Sequence, residues 1–152
     1  MKHSLLVAVA MLILTPFPTA AAEQGPAISA PAGVVKVARG SVSLGRGEER
    51  LPVAVGSLVL VGDVVVTGPD GAVGITLRDN TLLSVGPNST FSLKKYLFDS
   101  STHEGQIDAT ISRGTLSVVS GKIGKRSPEA VRLRTPISVI GVRGTEFIIS
   151  VS

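Results

Sequence analysis

The chain contains no cysteine and no tryptophan. Without thiols it has no disulfide, no thiolate nucleophile and no cysteine metal ligand. Cysteine therefore says nothing about its compartment, which must be read from other signals. Aromatic residues make up 3 % of the 152 residues. The core must be aliphatic, and the stacking platforms that single-stranded nucleic acid requires are missing, so nucleic acid is not expected as a partner. Charge is also scarce, at 17 % against 43 % hydrophobic, which places the chain among folding domains rather than disordered tails. No apolar 3.6-residue period runs long enough for a sustained helix, and the glycines keep no fixed spacing that would mark a repeat.

Chemistry is thin as well. Of two histidines, only His103 lies beyond the N-terminal segment, in the polar loop "STHE". There is no G-x-S-x-G, so a base and a nucleophile do not come together in the sequence. Acidic residues are scattered. Asp63, Asp70 and Asp79 stand beside glycine or asparagine, where side chains hydrogen-bond turn backbone. Gly121-Lys122 and Gly124-Lys125 have no following Ser or Thr and do not make a phosphate loop. Asn88-Ser89-Thr90 reads as a turn rather than a modified sequon. The expectation is a non-enzyme with no metal and no cofactor.

What is present begins with a targeting segment. Lys2 and His3 precede the apolar run Leu5 to Leu14, Pro16 and Pro18 break it, and Ala20 and Ala22 occupy the positions a signal peptidase reads. A membrane span needs about 20 apolar residues, twice this run. A cleavable signal peptide over residues 1–22 is expected, with cleavage after Ala22 and a periplasmic or secreted product. No transmembrane segment is expected in the mature chain. Residues 23–33, "EQGPAISAPAG", read as a flexible leader.

From residue 34 to 152 the chain is a series of short valine-rich strand signals punctuated by glycine. Val73, Ile75 and Leu77 alternate to one face, as do Ile107, Ala109 and Ile111. Phe91, Leu93 and Lys95 are expected on one face of another strand. "QIDATIS" and "RGTLSVVSGKIGK" read as two further strands. Turns are expected at Gly68-Pro69-Asp70-Gly71, at Asp79-Asn80 and at Gly86-Pro87. "SPEA" at 127–130 offers one helical turn at most. The fold class is all-β: one domain of many short strands in a roll, a β-helix-like coil or a sandwich, because rolled sheets limit exposed edges.

Formal charge is +4, and the excess is local. Lys122, Lys125, Arg126, Arg132, Arg134 and Arg143 face one acid of the same stretch, Glu129. These six are the candidate partner-binding residues; the plainer reading is solvated loop and edge charge.

The ordered series "GDVVVTGPDGAVGITLRDNTLLSVGPNSTFSL" and "RGTLSVVSGKIGKRSPEAVRLRTPISVIGVRGTEF" resembles the FecR domain over residues 33–147. That resemblance implies an extracytoplasmic, β-rich, coiled or roll-like domain. In the family's namesake, the domain relays occupancy of an outer-membrane ferric citrate receptor through a membrane helix. A chain with a cleavable signal is expected to be a stand-alone envelope module instead, so the iron-sensing role is not carried over. Within "VIGVRGTEF", Gly141 and Gly144 are expected to permit a bend or a close strand approach, with Arg143 at the bend pairing with an acid or facing a partner. Glu146–Val151 is either the closing strand or a free edge awaiting a partner strand. Two partners remain open: an envelope protein, possibly joined by strand addition, or an anionic cell-wall or glycolipid polymer held by charge.

Overall fold

The computed structural model describes residues 30–152. The expected signal peptide and residues 23–29 of the expected leader lie outside them. Twelve strands form one continuous sheet that curls over itself. They are β1 (Gly33–Arg39), β2 (Val42–Arg46), β3 (Glu49–Pro52), β4 (Leu58–Val59), β5 (Val64–Thr67), β6 (Ala72–Leu77), β7 (Leu82–Val85), β8 (Thr90–Phe98), β9 (Gly105–Val119), β10 (Val131–Arg134), β11 (Val139–Gly141) and β12 (Glu146–Val151). The domain is all-β, as the valine-rich alternation predicts.

Two hydrogen-bonded halves share β9. Half A runs β4-β1-β6-β7-β9-β12, and half B runs β3-β2-β5-β8-β9-β10-β11. Pairing is antiparallel except for β9 with β10, which is parallel. Val73, Ile75 and Leu77 point inward from β6, alternating with half-buried Ala72, Gly74 and Thr76. They meet Leu83, Val85, Leu116 and Val118 of half A, and Phe91, Leu93, Ile107 and Ile111 of half B, in one aliphatic core. Each such side chain contributes about 1.5–3 kcal/mol on burial.

Four features differ from the sequence reading. The two strands expected from "QIDATIS" and "RGTLSVV" are one 15-residue strand, β9. It changes halves at Gly114, whose φ of 93° glycine alone adopts easily. The tail expected to end that strand in glycines and lysines is instead a helical turn, α1 (Lys122–Arg126), followed by a 3₁₀ turn at Pro128–Ala130. Lys95 does not share a face with Phe91 and Leu93. A register shift between Leu93 and Lys95 reverses the alternation, so Tyr96 turns inward and Lys95 stays exposed. Finally, Ala32 at the end of the expected leader is fully buried, with its amide bonded to the Val59 carbonyl at 2.8 Å.

Turns fall where expected. The Gly71 amide closes the Gly68–Gly71 turn at 3.0 Å, and Asn80 is left-handed with φ 67°. Gly86 bonds the Thr115 carbonyl at 2.9 Å, and Pro87 leads to left-handed Asn88, φ 51°.

Candidate functional site

The basic stretch divides by partner. Arg134 on β10 grips Asp108 of β9 with two bonds of 3.1 and 3.3 Å, which hold its guanidinium pKa above the usual value. Arg126 at the end of α1 makes a long contact with Glu104 at 3.4 Å. Among the described residues, Lys122, Lys125, Arg132 and Arg143 have no acid within ion-pair distance. The expected acid partner for Arg143 is thus absent from the described residues. All six candidates are exposed.

Register explains why two of the four gather. Arg132 lies opposite Gly141 of β11, and the chain then carries Arg143 back past that edge. Arg132 and Arg143 line one cleft of about 920 Å³ with Glu129, Val139 and Gly144. The cleft continues the outward face of half B. There the register sets Lys95 and Arg132 on either side of Asp108, whose one carboxylate is already engaged by Arg134. Lys95 escapes a period-two reading because the bulge moves it; only the bulge's two consecutive lysines, Lys94 and Lys95, hint at it in the sequence.

Gly141 and Gly144 act differently from each other. A side chain at Gly141 would meet nothing within 4 Å, so the close-approach reading fails there. Gly144 has φ 118°, a left-handed bend that side chains avoid. Between them Val142 is 4 % exposed and plugs the core. The Gly-Val-Arg-Gly interruption is where the chain leaves half B and crosses to half A. Ser120 fixes the crossing from β9's end, bonding the Gly144 and Thr145 carbonyls at 3.0 and 2.7 Å.

β11 pairs only with β10, and β12 only with β9. Each therefore presents alternate backbone amides and carbonyls outward, unpaired within the described residues. Between them runs a groove of about 380 Å³ lined by Ile137, Ile140, Ile149 and Val151. Ile137 at its mouth is 95 % exposed.

The acids expected at turns are more than turn residues. Asp79, 0 % exposed, accepts from the Thr81 hydroxyl at 2.7 Å, the Tyr96 hydroxyl at 3.0 Å and the Thr81 and Ile123 amides at 3.3 and 3.2 Å. Its own amide donates to the Tyr96 oxygen at 3.0 Å. Asp79 thereby ties the β6–β7 turn of half A to β8 of half B and to α1. Burial, and then the neighbouring Asp79, push the Tyr96 hydroxyl pKa up, while Arg78 stacks over its ring at 5.3 Å. Asp63 is also buried. It accepts two bonds from Arg46 at 2.9 and 2.8 Å and the Leu60 amide at 2.7 Å. Asp70 caps the Ser41 amide at 3.2 Å, a contact that lowers its pKa. No sequence signal points to Arg46 or Tyr96, because both pairings join distant strands.

His103 stacks on Phe98 with ring centres 6.3 Å apart. Three or more metal-ligating side chains do not gather anywhere among the described residues, and no described helix is long and apolar enough to cross a membrane. The arrangement is suited to holding an anionic or strand-like partner at an edge.

The family model described as FecR protein matches residues 63–152, which covers β5 to β12 and more than half of the chain. No curated protein and no solved structure matches the chain.

Proposed function

Because this chain belongs to the FecR protein family, we propose that it is a regulatory or signalling domain of the cell envelope, exported to the periplasm or secreted, which binds another envelope protein and catalyses no reaction. The observation that carries this reading is the pair of open strand edges, β11 and β12, flanking an apolar groove beside Arg132 and Arg143. An extended segment of a partner would complete the hydrogen bonding of an edge, place alternate apolar side chains in the groove, and offer an acid to the two arginines. The lone loop histidine, stacked on Phe98, gives the site no base aimed at a nucleophile.

A second reading, attachment to an anionic wall polymer or glycolipid, draws on the cations Lys95 and Arg132 on either side of the single engaged Asp108. Salt separates the two. Exposed charge contacts weaken steeply as the screening length falls to about 8 Å at physiological ionic strength, whereas a strand-and-groove contact persists.

The test is an in-cell photocrosslinker at Ile137, with Arg132→Glu and Arg143→Glu introduced together in a parallel strain. One envelope protein crosslinked at Ile137 and lost in the charge-reversed strain is expected. No protein adduct, or an adduct indifferent to both arginines, would sink the partner-protein reading.

A further inference from the structure

The outward face of half A is built quite differently from the groove and the basic cleft. Its middle row crosses five strands: Val37 on β1, Gly74 on β6, Ser84 on β7, Ser117 on β9 and Ile148 on β12. Two aliphatic side chains, 45 and 68 % exposed, flank a flat centre of small residues. The next row adds Leu82, 44 % exposed, at its centre, and Leu58 of β4, 53 % exposed, at its end. Across β6, β7 and β9 no outward strand residue of this half is charged. Charge returns only at the borders, with Lys36 and Arg39 on β1 and Glu146 on β12.

An antiparallel sheet that faces water ordinarily alternates apolar-in with polar-out. A flat, uncharged face with exposed aliphatics marks an interaction surface. The border charges indicate what covers it. They are of opposite sign on opposite sides of the face, so the face is complementary to itself.

We propose that a second copy of this chain packs here, face to face, about a two-fold axis running along β7. That axis lays β1 of each copy over β12 of the other. Val37 meets Ile148, the cation Lys36 beside it comes nearest Glu146, Arg39 lies over Ser150, and the small residues Gly74, Ser84 and Ser117 let the two sheets approach. The geometry belongs to the aligned class of sheet packing, and the interface is isologous. It leaves the basic face of half B and the apolar groove pointing away from the dimer. It also uses β1 and β4, which precede the residues matched by the family model.

Sedimentation velocity of the purified full chain tests this. A concentration-dependent shift to twice the monomer mass is expected. Ser84→Lys, at the centre of the face, should raise the dimer dissociation constant at least about tenfold, because it buries a charge without a partner. At concentrations where both proteins are monomeric its melting temperature should match the parent's, since Ser84 is exposed in the monomer. Glu146→Lys should weaken the dimer, and adding Lys36→Glu to that variant should restore it. A chain monomeric at all concentrations overturns the proposal. So does a dimer that ignores Ser84→Lys, or one that Lys95→Glu on the opposite face disrupts. A second readout uses the absence of native cysteine. Ser84→Cys should be linked into dimers by a short bismaleimide, and Ser43→Cys on the outer face of half B should not. The reverse pattern would also overturn the arrangement.

Discussion

The two outward faces of this protein share one strand and little else. In its first half, β9 turns Asp108 out among Lys95, Arg132 and Arg134. In its second half it turns out Thr115, Ser117 and Val119, whose cross-strand neighbours are uncharged except for Glu146 opposite Val119. Backbone pairing continues on both sides of Gly114, with register shifts only against β8, so the sheet does not demand either chemistry. The difference shows that the outward positions are where this chain sets its contacts, while the inward ones are occupied by the shared core. One face is polar, basic and bordered by an open edge; the other is flat and self-complementary.

The sharpest way to break that comparison is to cut the tie between the halves. Asp79→Ala would leave the Tyr96 hydroxyl proton and the Ile123 amide without acceptors in the core. We expect a loss of about 3 kcal/mol or more in urea unfolding; a loss under about 1 kcal/mol would mean that the halves are not joined there. Next comes the crossing itself. Gly144→Val forces a branched side chain to φ 118° and should cost about 1–3 kcal/mol, whereas Gly141→Ala, with open space around it, should stay within about 0.5 kcal/mol. Equal melting temperatures for the two variants would refute the bend.

Alkali probes the same tie. Tyr96 is the single tyrosine, and its folded pKa is raised above the ordinary value of about 10. The protonated form is favoured by folding, so this contribution is fully present below about pH 10 and is lost as pH rises beyond it, at up to about 1.4 kcal/mol per pH unit. Tyrosinate absorbance of the folded protein should appear only at a pH well above that of the unfolded chain, and a normal titration would contradict the buried placement. The smallest effect concerns the basic face. Arg134→Ala removes an exposed ion pair and should leave the melting temperature nearly unchanged. Arg132→Ala should not change the melting temperature and should act on partner capture alone.

Much of the core is legible in the amino-acid pattern alone. Val73, Ile75 and Leu77 obey period two without interruption, and so do Ile107, Ala109 and Ile111. Turns at Gly71, Asn80 and Gly86-Pro87 fall where the pattern marks them: Asn80 is left-handed, and a side chain at Gly71 would run into the Ser41 carbonyl. Legibility fails where a single residue resets the phase. The bulge before Lys95 reverses a strand's faces, and Gly114 bends one long strand in a way that local composition reads as two. The candidate site is legible as a set of cations and not as a place. Which of them are engaged depends on Asp108 and Glu104, and pairing across strands leaves no mark in a local pattern. The FecR likeness supplies the family, but not the contacts of its outward faces.

The shared strand has one more consequence. β9 is flanked by β8 and β10 along one stretch and by β7 and β12 along the other. No sub-global opening can release either half without stripping a neighbour from it. Amides near Ile111 and Leu116 should therefore exchange with solvent deuterium only through complete unfolding, and at the same free energy on both sides of the bend. The protein should melt as a single cooperative unit, and Gly114 marks a change of direction rather than a boundary between foldons.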